Sequence, residues 1–153
     1  MLGLALFQPD IPQNTGAAIR LCRCLGVHLH IIHPTGFLWD PRKIRQSAMD
    51  YYDETAFTQW DCWEDFEQAI SPARIVLLTT KASRPYTEVS FRSDDILMLG
   101  RESVGVPDYV HSRADEKVLI PLLPAFRSLN LVTAGSMVLG EAMRQTASFH
   151  HQE

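Results

Sequence analysis

The sequence lacks the excess of positive charge that draws a protein to nucleic acid. Fourteen Lys and Arg stand against eighteen Asp and Glu, a net of −4. Any contact with a polyanion must therefore come from a local basic patch, assembled if need be from two subunits. Cysteine is scarce, with three residues. That odd number, behind an N-terminus MLGLALFQPDIPQ with no basic n-region and no small-residue cleavage site, predicts free thiols in a reducing, cytoplasmic setting. No apolar run reaches the roughly 20 residues that span a bilayer. Repeats, low-complexity tracts and long linkers are absent. With 153 residues, 46% of them hydrophobic, the chain is expected to form a single domain over 1–153. Disordered, collagen-like and coiled-coil chains are excluded.

Several nucleotide and hydrolase signatures are also missing. The first strand-like run is followed by QPDIPQNTG rather than G-x-G-x-x-G, which argues against a dinucleotide-binding fold. Gly100 to Gly105 has the glycine spacing of a phosphate loop, yet Val106-Pro107 stand where Lys-Ser/Thr is required. No G-x-S-x-G elbow occurs. His28, His30 and His33 have no carboxylate or cysteine at ligand spacing. Strand alternation puts the first two on one face and the third on the other, so they read as satisfied or surface histidines rather than a metal site. Cys22 and Cys24 do not share a helix face and read as core or half-buried thiols. His150 and His151 read as a frayed tail.

What is present is an alternation of strands and helices. Apolar or β-branched runs at Leu2–Phe7, Val27–Ile32, Arg74–Thr80, Asp95–Gly100 and Lys117–Pro121 read as strands, with a weaker one at Glu54–Gln59. Between them, Asn14 or Thr15 can cap a helix that Gly26 ends. Asp40-Pro41 opens another through about Met49, and Asp61–Ile70 forms a third. Ser128 can cap the longest helix, running to about Thr146. Its residues from Leu129 to Met143 are apolar or small on several sides, which predicts burial in the core or in a subunit interface. Continuous apolar strands between helices predict an α/β fold with a mostly parallel sheet covered on both faces. Ligands of such sheets sit at the carboxyl ends of the strands.

Three segments fall at those ends. Asn14-Thr15-Gly16-x-x-x-Arg20 enters the first helix. Gly100-x-Glu102-x-x-Gly105-Val106-Pro107 is a glycine-bounded turn bearing a carboxylate. Ile120-Pro121-x-x-Pro124-x-x-Arg127-Ser128-Leu129-Asn130 is a proline-stiffened loop delivering polar side chains to the last helix. Taken singly, Asn14 and Ser128 could be plain helix caps, Arg20 a surface arginine and Glu102 a solvated turn residue.

In this order the three segments resemble the motifs of the SPOUT superfamily of RNA methyltransferases, over essentially the whole chain. FQPDIPQNTGAAIRLC, LHIIHPTGFLWD and LTTK are similar to the branch that methylates the ribose of the tRNA wobble nucleotide. The resemblance implies a deep trefoil knot in the C-terminal part. It implies S-adenosylmethionine held at Leu78, Thr79, Thr80, Gly100, Glu102, Ile120, Leu122, Ser128, Leu129 and Asn130, largely by main-chain groups. Arg20 would serve the 2′-hydroxyl, Asn14 would orient Arg20 or the ribose, and Arg127 would bind an RNA phosphate or the cofactor carboxylate. No metal is implied, because the methyl donor is already activated. The implied partners are the anticodon stem-loop of tRNA and a second copy of the chain, packed through the last helix. Arg20, Arg23, Arg42, Lys43, Arg45 and Arg84 would supply the basic surface. A member of the superfamily acting on another tRNA or rRNA nucleotide would carry the same motifs, whereas a non-catalytic RNA-binding protein need not retain them. Phe126 stands where a small polar residue is usual, Gly140-Glu141 where a tyrosine is common, and Val106 where leucine is usual.

Overall fold

The computed structural model describes residues 1–150; the expectation for His151 lies outside them. Six strands form one sheet: β1 (Gly3–Phe7), β2 (His28–Ile32), β3 (Phe57–Trp60), β4 (Ile75–Leu78), β5 (Ile96–Leu99) and β6 (Glu116–Val118). Their order is β3-β2-β1-β5-β4-β6, and every pairing is parallel. Five helices connect them: α1 (Pro12–Leu25), α2 (Pro41–Ala48), α3 (Trp63–Ile70), α4 (Asp108–Arg113) and α5 (Leu131–Gln145). The expected α/β class and parallel sheet are therefore observed.

Alternation along each strand divides the core in two. Leu4, Leu6, Leu29, Ile31, Leu97 and Leu99 pack with α1, α2 and α5 on one face. Ala5, Phe7, Ile32, Ile75, Leu77 and Met98 pack with Trp63 and Phe66 of α3 and Val110 of α4 on the other. Strands with both faces covered need apolar residues at nearly every position, and β1 and β5 are fully buried along their length. At the opposite end from the strands' carboxyl termini, Arg74 grips the buried Asp95 through two bonds of 2.9 and 2.7 Å. This pins the starts of β4 and β5 with a bidentate, charge-assisted pair.

Local signals explain most of the boundaries. Gly26 adopts φ 68° and closes α1, while Asp40 accepts from the Arg42 N–H at 3.0 Å and opens α2. Two expected caps are corrected. Helix α1 begins at Pro12 behind Ile11, with no side-chain cap, so Asn14 and Thr15 lie buried inside it. Proline at the first helical position has no N–H to satisfy and is already at a helical φ, so the helix starts earlier than a side-chain cap would place it. Helix α5 is capped by Asn130, not Ser128: the Asn130 carboxamide oxygen accepts from the N–H groups of Val132 and Thr133 at 3.0 and 3.1 Å. Cys22 is buried as expected, but Cys24, near the end of α1, is exposed. Burial pushes the Cys22 thiol up to about 12, so it is an inert core group.

The chain leaving β6 takes an unusual course. The Thr79 N–H donates to the Val118 carbonyl at 2.9 Å, while the Leu119 N–H donates to Arg84 and its carbonyl accepts from Tyr86. Residues 118–119 are thus held on one side by the end of β4 and on the other by the loop that follows β4.

Candidate active site

β1 lies in the middle of the sheet with β2 on one side and β5 on the other, so the strand order reverses beside it. Loops leaving the carboxyl ends there diverge and leave a crevice. A cavity of about 910 Å³ opens over β4, β5 and β6, a size suited to a small-molecule cofactor. All ten residues that the resemblance nominates for the cofactor line it: Leu78, Thr79, Thr80, Gly100, Glu102, Ile120, Leu122, Ser128, Leu129 and Asn130. Arg127 lines it as well. Asn14 and Arg20 do not.

The glycine-bounded turn forms one wall. The N–H and carbonyl of Arg101 exchange two bonds with Gly105, at 3.0 and 2.8 Å, and Gly105 adopts φ 67°. A Cβ on Gly100 would stand 3.0 Å from the Gly105 carbonyl carbon and from Val106. The turn can therefore close this tightly only with glycine at both positions. Its exposed side chains are tied down from outside. Asp10, in the loop after β1, accepts from both the N–H and the hydroxyl of Ser103 at 3.0 Å. The Arg101 guanidinium lies over the Phe7 ring, 5.6 Å from its centroid.

Three segments that are remote in sequence meet at one rim. Asn14, 5% exposed, donates from its side-chain nitrogen to Glu102 at 2.6 Å. Asn130 donates in turn to the Asn14 side-chain oxygen at 3.3 Å. The first carboxamide is thus used at both ends, which fixes its orientation, and Asn130 spends its own oxygen capping α5. A carboxylate, two carboxamides and a helix start form a single polar connection. Next to it, the Thr15 hydroxyl is buried with no partner among the described residues.

Arg20 is on a different surface. It lies exposed on α1, donating to the Met49 sulfur at 3.1 Å and resting over the Tyr51 ring at 5.5 Å. Asn14 faces the rim of the cavity and Arg20 does not. They are six residues apart on α1, and the helix turns Arg20 well away from the Asn14 face. Arg42 and Arg45 occupy the neighbouring α2 surface, with Arg45 over the Tyr52 ring at 4.8 Å. The residues sequence reasoning missed include Asp10, Ser103 and His111. Asp10 and Ser103 are 93 positions apart, and nothing local announces their pairing. His111 also lines the cavity, on a helix too short to show periodicity.

The three histidines of β2 and its exit are satisfied by neighbours. His28 bonds the Thr58 hydroxyl at 2.8 Å, His30 accepts from the Trp60 indole at 3.1 Å, and His33 bonds Gln59 at 2.8 Å. Burial, and secondarily the neighbouring His28, lower His30 to about 4. Among the described residues no group of three or more His, Cys, Asp or Glu is placed to hold a metal ion. Nor is any described helix long and apolar enough to cross a membrane.

A parallel α/β sheet with a cofactor-sized cavity at its carboxyl end suits a methyltransferase, and the similarities to known proteins fix the class. Residues 1–140 match the SpoU rRNA Methylase family, and the chain belongs to it. A relative from Beijerinckia indica, a tRNA (cytidine(34)-2'-O)-methyltransferase, is 53% identical over 151 residues, covering 95% of this chain and 92% of its own. The tRNA (cytidine(34)-2'-O)-methyltransferase of Escherichia coli K12 is 42% identical, covering 95% and 94%. A solved structure described as giving insights into the 2-OH methylation of C/U34 on tRNA superposes with a TM-score of 0.89 at 36% identity, covering 95% of each chain. An AdoMet-bound rRNA methyltransferase from Sinorhizobium meliloti superposes with a TM-score of 0.83 at 25% identity over 94% of this chain and 56% of its own. These bear out the SPOUT resemblance drawn from the three motifs.

Proposed function

We propose that the chain transfers a methyl group from S-adenosylmethionine to the ribose 2′-oxygen of the wobble nucleotide, cytidine or modified uridine, in tRNA anticodon loops. The observation that carries this reading is the meeting of all three motif segments over one cavity through Glu102, Asn14 and Asn130. The relatives that methylate position 34 support the choice of nucleotide.

The cavity fits the cofactor. Among the described residues, the main-chain groups of Gly100, Ile120, Leu122 and Leu129 take part in no main-chain hydrogen bond and line the space. They are free to recognise a purine edge by loop shape, while Leu78, Ile120 and Leu122 offer apolar walls. Lys81 and Arg127 also line the cavity and can pair with a carboxylate. When bound, S-adenosylmethionine supplies a sulfonium methyl already activated for transfer.

The remaining work is positioning and charge stabilisation. Arg20 presents a guanidinium, which stays charged at working pH. It therefore stabilises the alkoxide developing at the 2′-oxygen and leaves the proton to an RNA phosphate or to solvent. Asn14, locked by Glu102 and Asn130, orients the ribose edge. Arg127, exposed on the loop, holds an RNA phosphate or the cofactor carboxylate. The whole chain acts as one methyltransferase domain in the cytoplasm, where its tRNA substrate is, and as a homodimer. Two features support the dimer: the Met137 side chain of α5 is 41% exposed, and Arg20 lies off the cavity of its own chain. The passage of residues 118–119 between β4 and the following loop fits a trefoil knot.

The test is methyl transfer from labelled S-adenosylmethionine to tRNA from cells lacking the enzyme, followed by nucleoside mapping. Label in a 2′-O-methyl group at the wobble position is expected. Label at another nucleotide would keep the class and overturn the target. Failure to bind the cofactor would overturn the reading altogether.

A further inference from the structure

The spacing Gly16-x-x-x-Arg20 places both residues on one face of α1. At Gly16 that face touches α2 so closely that a Cβ would collide with Ser47 and the backbone of Ile44 and Ala48. The end of α2 is therefore drawn in against α1 one helical turn before Arg20, and the chain leaving α2 passes under the Arg20 side chain. There the chain makes a 3-10 turn, Met49–Tyr51. Met49 adopts φ 56° and ψ −138°, a conformation a side-chain-bearing residue rarely takes. The turn is anchored from behind by Tyr52, which packs edge-on against Phe57 at 5.8 Å and donates to Glu54 at 2.8 Å. Its outward side is the surface that meets Arg20. The Met49 sulfur accepts from the guanidinium at 3.1 Å, and the Tyr51 ring lies 5.5 Å beneath its carbon. Neither contact neutralises the charge, and among the described residues no carboxylate takes part. A soft acceptor and an aromatic face restrain the guanidinium and leave its remaining N–H groups free for an oxygen.

We propose that the turn Met49–Tyr51 is the positioning device for Arg20, with the Tyr51 ring and the Met49 sulfur setting the direction of the guanidinium toward the ribose oxygen. This rests on the reading of Arg20 given above. The two contacts supply orientation without an ion pair: Asp50, the middle residue of the turn, is exposed and forms no salt bridge to Arg20.

The experiment compares Arg20→Ala, Tyr51→Ala, Tyr51→Phe, Met49→Leu and the Arg20→Ala/Tyr51→Ala pair. It reads kcat, KM for tRNA, S-adenosylhomocysteine affinity by calorimetry, and thermal unfolding. Arg20→Ala is expected to lower kcat by about a hundredfold or more. Tyr51→Ala lowers it by about tenfold, with KM for tRNA and cofactor affinity unchanged. Met49→Leu lowers it by about threefold, and Tyr51→Phe restores the rate to within about twofold, because the ring and not the hydroxyl is used. In the Arg20→Ala background, Tyr51→Ala costs nothing further, the non-additivity expected of one device. If Tyr51→Ala melts early, Tyr51→Leu, which keeps bulk and loses the π face, replaces it. A full rate in Tyr51→Ala beside a crippled Arg20→Ala overturns the proposal. So does a raised KM for tRNA at unchanged kcat, or additive losses in the pair. A normal rate in Arg20→Ala removes the reading beneath it instead.

Discussion

The cavity and the Arg20 surface are built on opposite plans. Around the cavity, irregular loops after β4, β5 and β6 offer main-chain groups, and the segment from Leu123 to Asn130 is exposed throughout, with Leu123 71% and Phe126 67% exposed. Around Arg20, two regular helices and a turn offer side chains whose positions follow from helix packing. Loop shape does most of the work in the first, so residue identity there is loosely constrained except at the glycines and at Glu102 and Asn130. In the second, identity matters and backbone shape is ordinary apart from Met49. Asn14 belongs to both plans: its backbone lies in α1 and its side chain spans the loops of the cavity.

After the loss of Arg20 itself, removing that link gives the largest effect expected in the comparison. Asn14→Ala leaves the Glu102 carboxylate and the Asn130 nitrogen without their partner. It should weaken S-adenosylhomocysteine binding and lower kcat together, each by about tenfold or more, whereas Arg20→Ala should lower kcat alone. Calorimetry and single-turnover rates separate the two. If cofactor affinity in Asn14→Ala is unchanged, the two plans are independent and the link is decorative.

A smaller effect tests the cavity plan through its packing. Gly135 lets α5 lie against β5, and a Cβ there would come within 2.7 Å of a Leu99 methyl. Gly135→Ala should destabilise the fold by about 1–3 kcal/mol, the usual cost of overpacking. It should also displace the helix start that carries Asn130, so cofactor affinity falls with the melting temperature. An unchanged melting temperature would mean the Leu99 side chain yields at no cost.

The smallest effect lies in the β1–β3 half. His30 is lowered to about 4 by burial and by His28, and its Nδ1 accepts the Trp60 indole N–H, which requires a neutral ring. A histidine depressed in the folded state is protonated more readily when unfolded. Stability is therefore full above the ordinary histidine value near 6.5 and declines as pH falls toward 4. Urea midpoints from pH 7 to 4 should fall in the native chain and fall less in His30→Gln. Cofactor affinity at neutral pH should be the same in both.

The same division explains what is legible in the sequence. Strand positions in the buried sheet are legible because parallel strands covered on both faces must be apolar throughout, and IVLL and ILML state it without ambiguity. The caps at Gly26 and Asp40 are legible because each acts within four residues. The short α4 is not, since six residues carry too little pattern. Capping chemistry alone does not separate Ser128 from Asn130, two residues on, so the start of α5 is misplaced by sequence and settled by the fold. The ten cavity residues are reached only through the resemblance of their motifs, because main-chain recognition leaves little trace in side-chain identity. The clasp of Asp10 on Ser103 and the cradle under Arg20 join residues whose partnership is made by the fold alone.

Synthesis runs from residue 1 onward, and Asn130 is among the last of these residues to leave the ribosome. Until it does, Asn14 and Glu102 can meet, but the wall formed by residues 119–131 does not exist. A nascent or prematurely ended chain therefore has a basic helical surface and no place for a methyl donor. The cavity is therefore closed only once the segment through Asn130 has joined the strands that were made before it.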